Sequence, residues 1–230
     1  MIAMNTQNDA GAERLPQIVV FDDPVCPWCL LGLYRLDRAI ERAGLQDSVE
    51  IVHQAFLLDP NTPEEGEDVV EMLTRKYGRA PDEAWDRIES EARKSGLEVD
   101  MRKQIWRYPS QKAQVLIQLA RGMRVQHAIA MDLGRACYLE GEDISSDEVL
   151  VEIGTRHGLA EEVIRTAISV PENIAAVERM AQEAIGIGVN AVPVFLFDRH
   201  FSANGAQPDA FFDAALKKMM ELGTEDAKSA

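Results

Sequence analysis

The sequence is poor in cysteine, in positive charge and in long apolar runs, and each shortage excludes something. Three cysteines, Cys26, Cys29 and Cys137, stand among 230 residues. Three cannot build the disulfide framework that staples small secreted domains. The fold must then rest on an ordinary hydrophobic core, and 46% apolar residues suffice for one. Lys and Arg number 24 against 39 Asp and Glu, for a net charge of −15. That balance argues against a basic groove for nucleic acid and against attraction to an anionic membrane. No apolar run approaches the ~20 residues of a membrane helix. The opening MIAMNTQNDAGAERLPQ lacks the basic and then apolar pattern of a secretory leader. The expectation is a cytoplasmic protein. Paired metal ligands are also missing. Cys137 stands alone and His53, His127, His157 and His200 are scattered, so a tetrahedral zinc site would lack half its donors. No metal or cofactor is expected, and no repeat or low-complexity tract is visible.

What is present has the pattern of an α/β protein. Residues 1–15 are polar and expected to be loose. Ile18-Val19-Val20-Phe21 is a short β-branched run that reads as a buried strand. Asp22-Asp23-Pro24 breaks it. From Leu30 to Arg42 the apolar residues Leu30, Leu33, Leu36 and Ile40 recur at helical spacing, and Gly44 is a natural stop. Residues 49–56 read as a second strand. Strand–helix–strand implies a parallel pair with a crossover helix. Segments 64–78, 81–95, 110–122, 124–139, 146–157 and 160–169 then lean helical, with no β-rich run between them. A helix over 172–186, a strand over 191–197, a strand over 199–202 and a helix over 208–222 follow, with a polar tail. The division expected is 16–63 and 171–224 for the two parts of an α/β core, with an inserted helical subdomain over 64–170.

The chemistry concentrates in Cys26-Pro27-Trp28-Cys29. Two cysteines at this spacing can close a small disulfide ring. At the start of a helix, unpaired backbone N–H groups and the helix dipole favour a thiolate. A thiolate attacks a disulfide, a mixed disulfide forms, and the second thiol resolves it. Cys26 is the expected attacker, being nearer the solvent end, and Cys29 the more buried resolving thiol. Pro27 suits a first-turn position, where its missing N–H costs nothing. Trp28 is bulky and shields the pair. The competing reading, half of a zinc site, fails for want of ligands. A CxxC that follows a buried strand and opens a helix reads as redox.

A second signal is Val192-Pro193 in an apolar run. Proline cannot donate to a sheet ladder, and a cis peptide at the start of a strand resolves the conflict. Such a proline, facing the cysteines, leaves the backbone of Val192 free to pair with an extended substrate. A trans proline on an edge strand is the plainer alternative.

These residues resemble the DsbA-family oxidoreductases of the FrnE-like branch, which are similar in turn to 2-hydroxychromene-2-carboxylate isomerases. The matching segments are Asp23 to Cys29 with Gly32, Arg35 and Leu36; Phe56 to Pro60; Gly188 to Phe195; and Asn204 to Pro208. The resemblance implies a thioredoxin-like fold with a large all-helical insertion. It also implies exchange of disulfides with a disulfide- or dithiol-containing protein or small molecule. Glutathione or a thioredoxin system would donate electrons. One departure is Tyr108 to Gln114, where the family often carries an Asn-Thr…Ala-His stretch. A glutathione-dependent isomerase is the alternative function, but those relatives typically carry serine where this chain has Cys26. A binding module with a silent CxxC is the third. Cys137 reads as a core thiol, Trp85 and Trp106 as core aromatics or cleft lining, His53 as structural or exposed, and Arg102, Lys103 and Arg107 as a solvated basic cluster.

Overall fold

A computed structural model describes residues 15–229, with side chains through residue 224. Apart from Leu15, the N-terminal stretch expected to be loose lies outside the described residues. Strand β1 (Gln17–Asp22) leads through helix α1 (Pro27–Ala43) to β2 (Glu50–Ala55). β1 and β2 pair in parallel, with Val20 opposite His53 and Asp22 opposite Ala55. Helix α1 supplies the crossover that a parallel pair requires. Pro27 sits in its first turn, and Gly44, at φ 67°, ends it in a left-handed conformation that glycine adopts without a Cβ clash.

The sheet has the order β2-β1-β5-β6, with β5 (Val194–Phe197) antiparallel to β1 and β6 (Phe201–Asn204) antiparallel to β5. The sequence places these strands at 191–197 and 199–202, and both starts move later. Residues 191–193 lie before the ladder, because Pro193 has no N–H to contribute. The hairpin turn takes Asp198 and Arg199, at φ 41° and 67°, so the return strand starts at Phe201. Positive φ at both turn residues matches the twist of a tight hairpin.

Between β2 and β5 run β3 (Glu67–Asp68), α2 (Val69–Tyr77), α3 (Asp82–Lys94), β4 (Trp106–Arg107), α4 (Gln111–Leu119), α5 (Gln126–Arg135), a π-helical turn (Ala136–Glu140), α6 (Asp147–Arg156) and α7 (Glu161–Ser169). The two-residue strands β3 and β4 pair antiparallel inside this helical stretch. A ladder that short leaves no periodicity to read, and it delays the first helix, expected from 64, until Val69. Helix α8 (Pro171–Gly186) returns to pack on β2, and the closing α9 (Asp209–Ser229) packs on α1. The polar tail expected after 222 is helical backbone, since no proline follows to stop it. Among the described residues, no helix is long and apolar enough to cross a membrane.

The core joins Ile18 and Val20 of β1, Leu33 and Leu36 of α1, Phe195 and Phe197 of β5, and Phe212 and Leu216 of α9. Truncating such a leucine to alanine costs about 2–5 kcal/mol. Arg35 is the charged residue on the buried face of α1. Its Nε donates to Ser95 Oγ at 2.7 Å, Nη1 to the Ala206 carbonyl at 2.8 Å, and Nη2 to the Glu91 carboxylate at 3.2 Å. One guanidinium thus ties α1 to α3 and to the turn before α9. Its donors are used, which is the condition for burying a charge at tolerable cost.

Candidate active site

The first turn of α1 builds the site. Cys26 caps the helix from an extended conformation (φ −106°, ψ 112°), and its carbonyl accepts from the N–H of Cys29 at 3.0 Å and of Leu30 at 3.2 Å. Its own N–H donates to the Asp23 carbonyl at 2.9 Å. The Cys26 thiol donates to the Val192 carbonyl at 3.8 Å. Both cysteines are free thiols. Cys26 is 4% exposed and Cys29 1%, so Cys26 is less open than its place at the helix mouth suggests. Burial pushes the Cys29 thiol well above the ordinary thiol range, helped by its hydrogen bond to Cys26 and by the charges of Cys26 and Asp22. The inner thiol therefore holds its proton until something takes it.

The Val192–Pro193 peptide is cis. The Gly205 N–H donates to the Pro193 carbonyl at 2.7 Å, and β6 thereby braces the segment. Gly32 lets α1 approach it: a Cβ there would meet Phe195 at 3.0 Å and Pro193 at 3.1 Å. Trp28 is half-buried, with the Arg87 guanidinium 5.5 Å from its ring centroid. The structure thus brings Cys26, Val192 and Pro193 together beyond the paired central strands β1 and β5, with Pro27 and Trp28 between the thiols.

Several neighbours escaped the sequence reading. Asp23 is fully buried beneath the turn. Its Oδ2 accepts from the Leu58 N–H at 2.8 Å and its Oδ1 from the Val25 N–H at 3.3 Å. Desolvation outweighs these bonds, the Ser110 hydroxyl and the charge of Arg107, and pushes its carboxyl up to about 6. Gln114 reaches the Asp22 carbonyl at 2.8 Å. The departure segment 108–114 therefore packs under the site. Two adjacent carboxylates three and four residues before Cys26 were the available signal, but they read as a strand breaker.

Other expectations change. Arg107 is 7% exposed and donates to Met72 Sδ, so it leaves the solvated cluster. Arg102 faces Asp82, Asp86 and Glu89, and Lys103 donates to the Leu139 carbonyl. Trp85 is core, whereas Trp106 lies on β4 and is half-exposed. Cys137 is buried, accepts from Gln104 Nε2, and is driven far up by desolvation. His53 is fully buried, its Nδ1 2.7 Å from Asp22 Oδ1.

A four-stranded mixed sheet, a CxxC opening the first helix and a helical insertion before the returning hairpin define a thioredoxin-fold protein of the inserted kind. The chain belongs to the family described as the DSBA-like thioredoxin domain, whose pattern it matches over residues 17–217. It is similar to the structure of a probable DsbA oxidoreductase from Streptomyces coelicolor, with 29% identity, 90% of each chain covered and a TM-score of 0.79. The cytosolic disulfide reductase DsbM from Pseudomonas aeruginosa matches at 18% identity over 90% of this chain and 99% of that one, with a TM-score of 0.65. A 2-hydroxychromene-2-carboxylate isomerase matches at 16% identity over 93% and 99%, with a TM-score of 0.67. The last two show shared fold alone. A search of curated proteins finds no match.

Proposed function

We propose that this protein is a thiol–disulfide oxidoreductase in which Cys26 attacks and Cys29 resolves. The observation that carries the reading is the Cys26 thiol at the start of α1, 3.8 Å from the Val192 carbonyl, with buried Cys29 one turn further in. The Cys26 thiolate attacks one sulfur of a substrate disulfide and expels the other as a thiolate. Cys29 then loses its proton and attacks the Cys26 sulfur. The substrate leaves as its second thiolate, and the protein keeps a Cys26–Cys29 disulfide. Two electrons pass to the substrate, and the reverse sequence oxidises a dithiol. Val192, beside Pro193, offers backbone groups to an extended substrate, and Pro27 and Trp28 shape the rim.

The substrate is a protein or small molecule bearing a disulfide or dithiol. A reducing, cytoplasmic setting favours the reductase direction, with glutathione or a thioredoxin system as donor. The DsbM reductase is described as cytosolic and has a structure with GSH, which supports that direction by analogy of fold. The isomerase reading has the fold match but finds a second free thiol, Cys29, that glutathione-dependent isomerisation does not need. Dithiothreitol-driven reduction of insulin tests the proposal. The Cys26→Ser protein is expected to fall to the uncatalysed rate, and full activity in that variant would sink the redox reading.

A further inference from the structure

The rim of the site carries a cation that no carboxylate holds. Arg87 is exposed on α3, and its guanidinium lies over the Trp28 ring, 5.5 Å from the centroid. Trp28 stands in the first turn of α1, between Cys26 at the cap and Cys29. Helical side chains lean toward the N-terminus, so the indole leans toward the mouth at which Cys26 stands. This contact belongs to a fixed interface. Seven residues after Trp28 on α1, Arg35 donates to the Glu91 carbonyl at 3.1 Å and to its carboxylate at 3.2 Å. Glu91 lies four residues after Arg87 on α3, so the two contacts follow one another along a single α1–α3 seam. The buried contact at Arg35 sets where the outer one, at the mouth, can sit.

The surrounding charges make Arg87 an exception. Acidic residues outnumber basic ones by 39 to 24, yet every carboxylate of α3 is engaged by another cation. Arg102 faces Asp82, Asp86 and Glu89, Arg79 pairs with Glu83, and Arg35 and Lys94 pair with Glu91. Among the described residues, the Trp28 ring is the partner that Arg87 has. A guanidinium lying over a ring uses its face there and keeps its in-plane N–H groups, the fork that a carboxylate accepts. The ring also holds the fork in place, so less freedom is lost on binding. We propose that Arg87 makes this site select small disulfides that carry a carboxylate a few bonds from sulfur. This rests on the redox reading of Cys26 and Cys29. The net charge of −15 repels an acidic protein. A small molecule with one or two charges feels mainly the nearest cation, because salt screens charges beyond about 8 Å. The Cys26 thiolate bonds to one sulfur, and the other leaves as a carboxylate-bearing thiolate. Cys29 loses its proton to solvent, closes on Cys26 and releases the second such thiolate. The small disulfide gains two electrons and the protein dithiol loses two. Arg87 holds the carboxylate and sets specificity without acting on the sulfurs.

The test is the rate at which reduced protein forms the Cys26–Cys29 disulfide with each of three small disulfides. Dithiodipropionate is anionic, hydroxyethyl disulfide neutral and cystamine cationic, and all are of similar size. Acid quenching, maleimide labelling of the remaining thiols and mass measurement follow the reaction. Arg87→Gln is expected to slow dithiodipropionate about 3- to 5-fold relative to hydroxyethyl disulfide, the size of one exposed ion pair. Cystamine is expected to gain on hydroxyethyl disulfide, because a repelling charge is gone. An anionic-to-neutral ratio left at its wild-type value would overturn the proposal, whether the rates stand still or fall together. A common fall would mean that Arg87 acts on the Cys26 thiol instead. A loss for cystamine relative to hydroxyethyl disulfide would overturn it as well. If the wild-type protein forms no Cys26–Cys29 disulfide with any of the three, the redox reading itself falls, a separate and distinguishable result.

Discussion

Asp22 and Asp23 are adjacent, both buried, and both lie just before the cysteines, yet their surroundings differ in kind. Asp22 faces His53, which reaches His127 and, through it, Asp37 at an open cleft. Asp23 faces backbone N–H groups, the Ser110 hydroxyl, the charge of Arg107 and, further off, the Cys137 thiol. Asp22 thus opens through two rings toward the cleft, whereas Asp23 is closed in by backbone donors, a hydroxyl and one charge. Equal burial therefore leaves two adjacent carboxylates with different partners, and the partners decide what each contributes.

The comparison breaks first at the two carboxylates themselves. Asp22→Asn is expected to cost about 1–3 kcal/mol of stability, because buried His53 loses its carboxylate partner. Asp23→Asn, which keeps an acceptor oxygen for the backbone N–H groups, is expected to cost less at neutral pH. Equal losses in both, in urea unfolding at pH 7, would erase the distinction.

The next effect is thermodynamic and belongs to Asp23. Below pH 3.8 its carboxyl is protonated in folded and unfolded chains alike. Between 3.8 and about 6 the folded chain keeps a proton that the unfolded chain has lost. Stability therefore falls as pH rises through this window, by about 1.4 kcal/mol per unit from this group, and the loss is complete above it. Urea titrations across the window, with Asp23→Asn as the reference, are expected to show that slope in the wild-type protein and its loss in the variant.

Part of this difference was legible in the sequence and part was not. Strand β1, helix α1 and the CxxC are local, and the apolar spacing of Leu30, Leu33, Leu36 and Ile40 with Gly44 as a stop gives the helix directly. The helical stretch after β2 also reads from periodicity. The β3–β4 ladder does not, because two residues carry no period. The apolar run at 191–197 starts the strand too early, since hydropathy is blind to the missing N–H of Pro193. The histidine row is invisible for a deeper reason. His53, His127 and Asp37 come from β2, α5 and α1, and their meeting is a product of register and helix packing. Read along the chain, the same histidines are scattered. Arg107 fails similarly, because a basic cluster in sequence says nothing of which member turns inward.

The smallest effect sharpens the closed side. Cys137 touches Gln104 and lies in the field of Asp23. Cys137→Ala is expected to cost about 1 kcal/mol in thermal or denaturant unfolding, as a small core truncation, and to leave insulin reduction unchanged. A loss of activity would make the third thiol a redox partner.

The central claim is that Cys26 is the attacking thiol and Cys29 resolves it. Its most direct test is to treat reduced Cys29→Ser protein with a small disulfide and locate the adduct by peptide mass. With no resolving thiol, a stable mixed disulfide on Cys26 is the predicted result. An unmodified Cys26, or an adduct confined to Cys137, would contradict the claim.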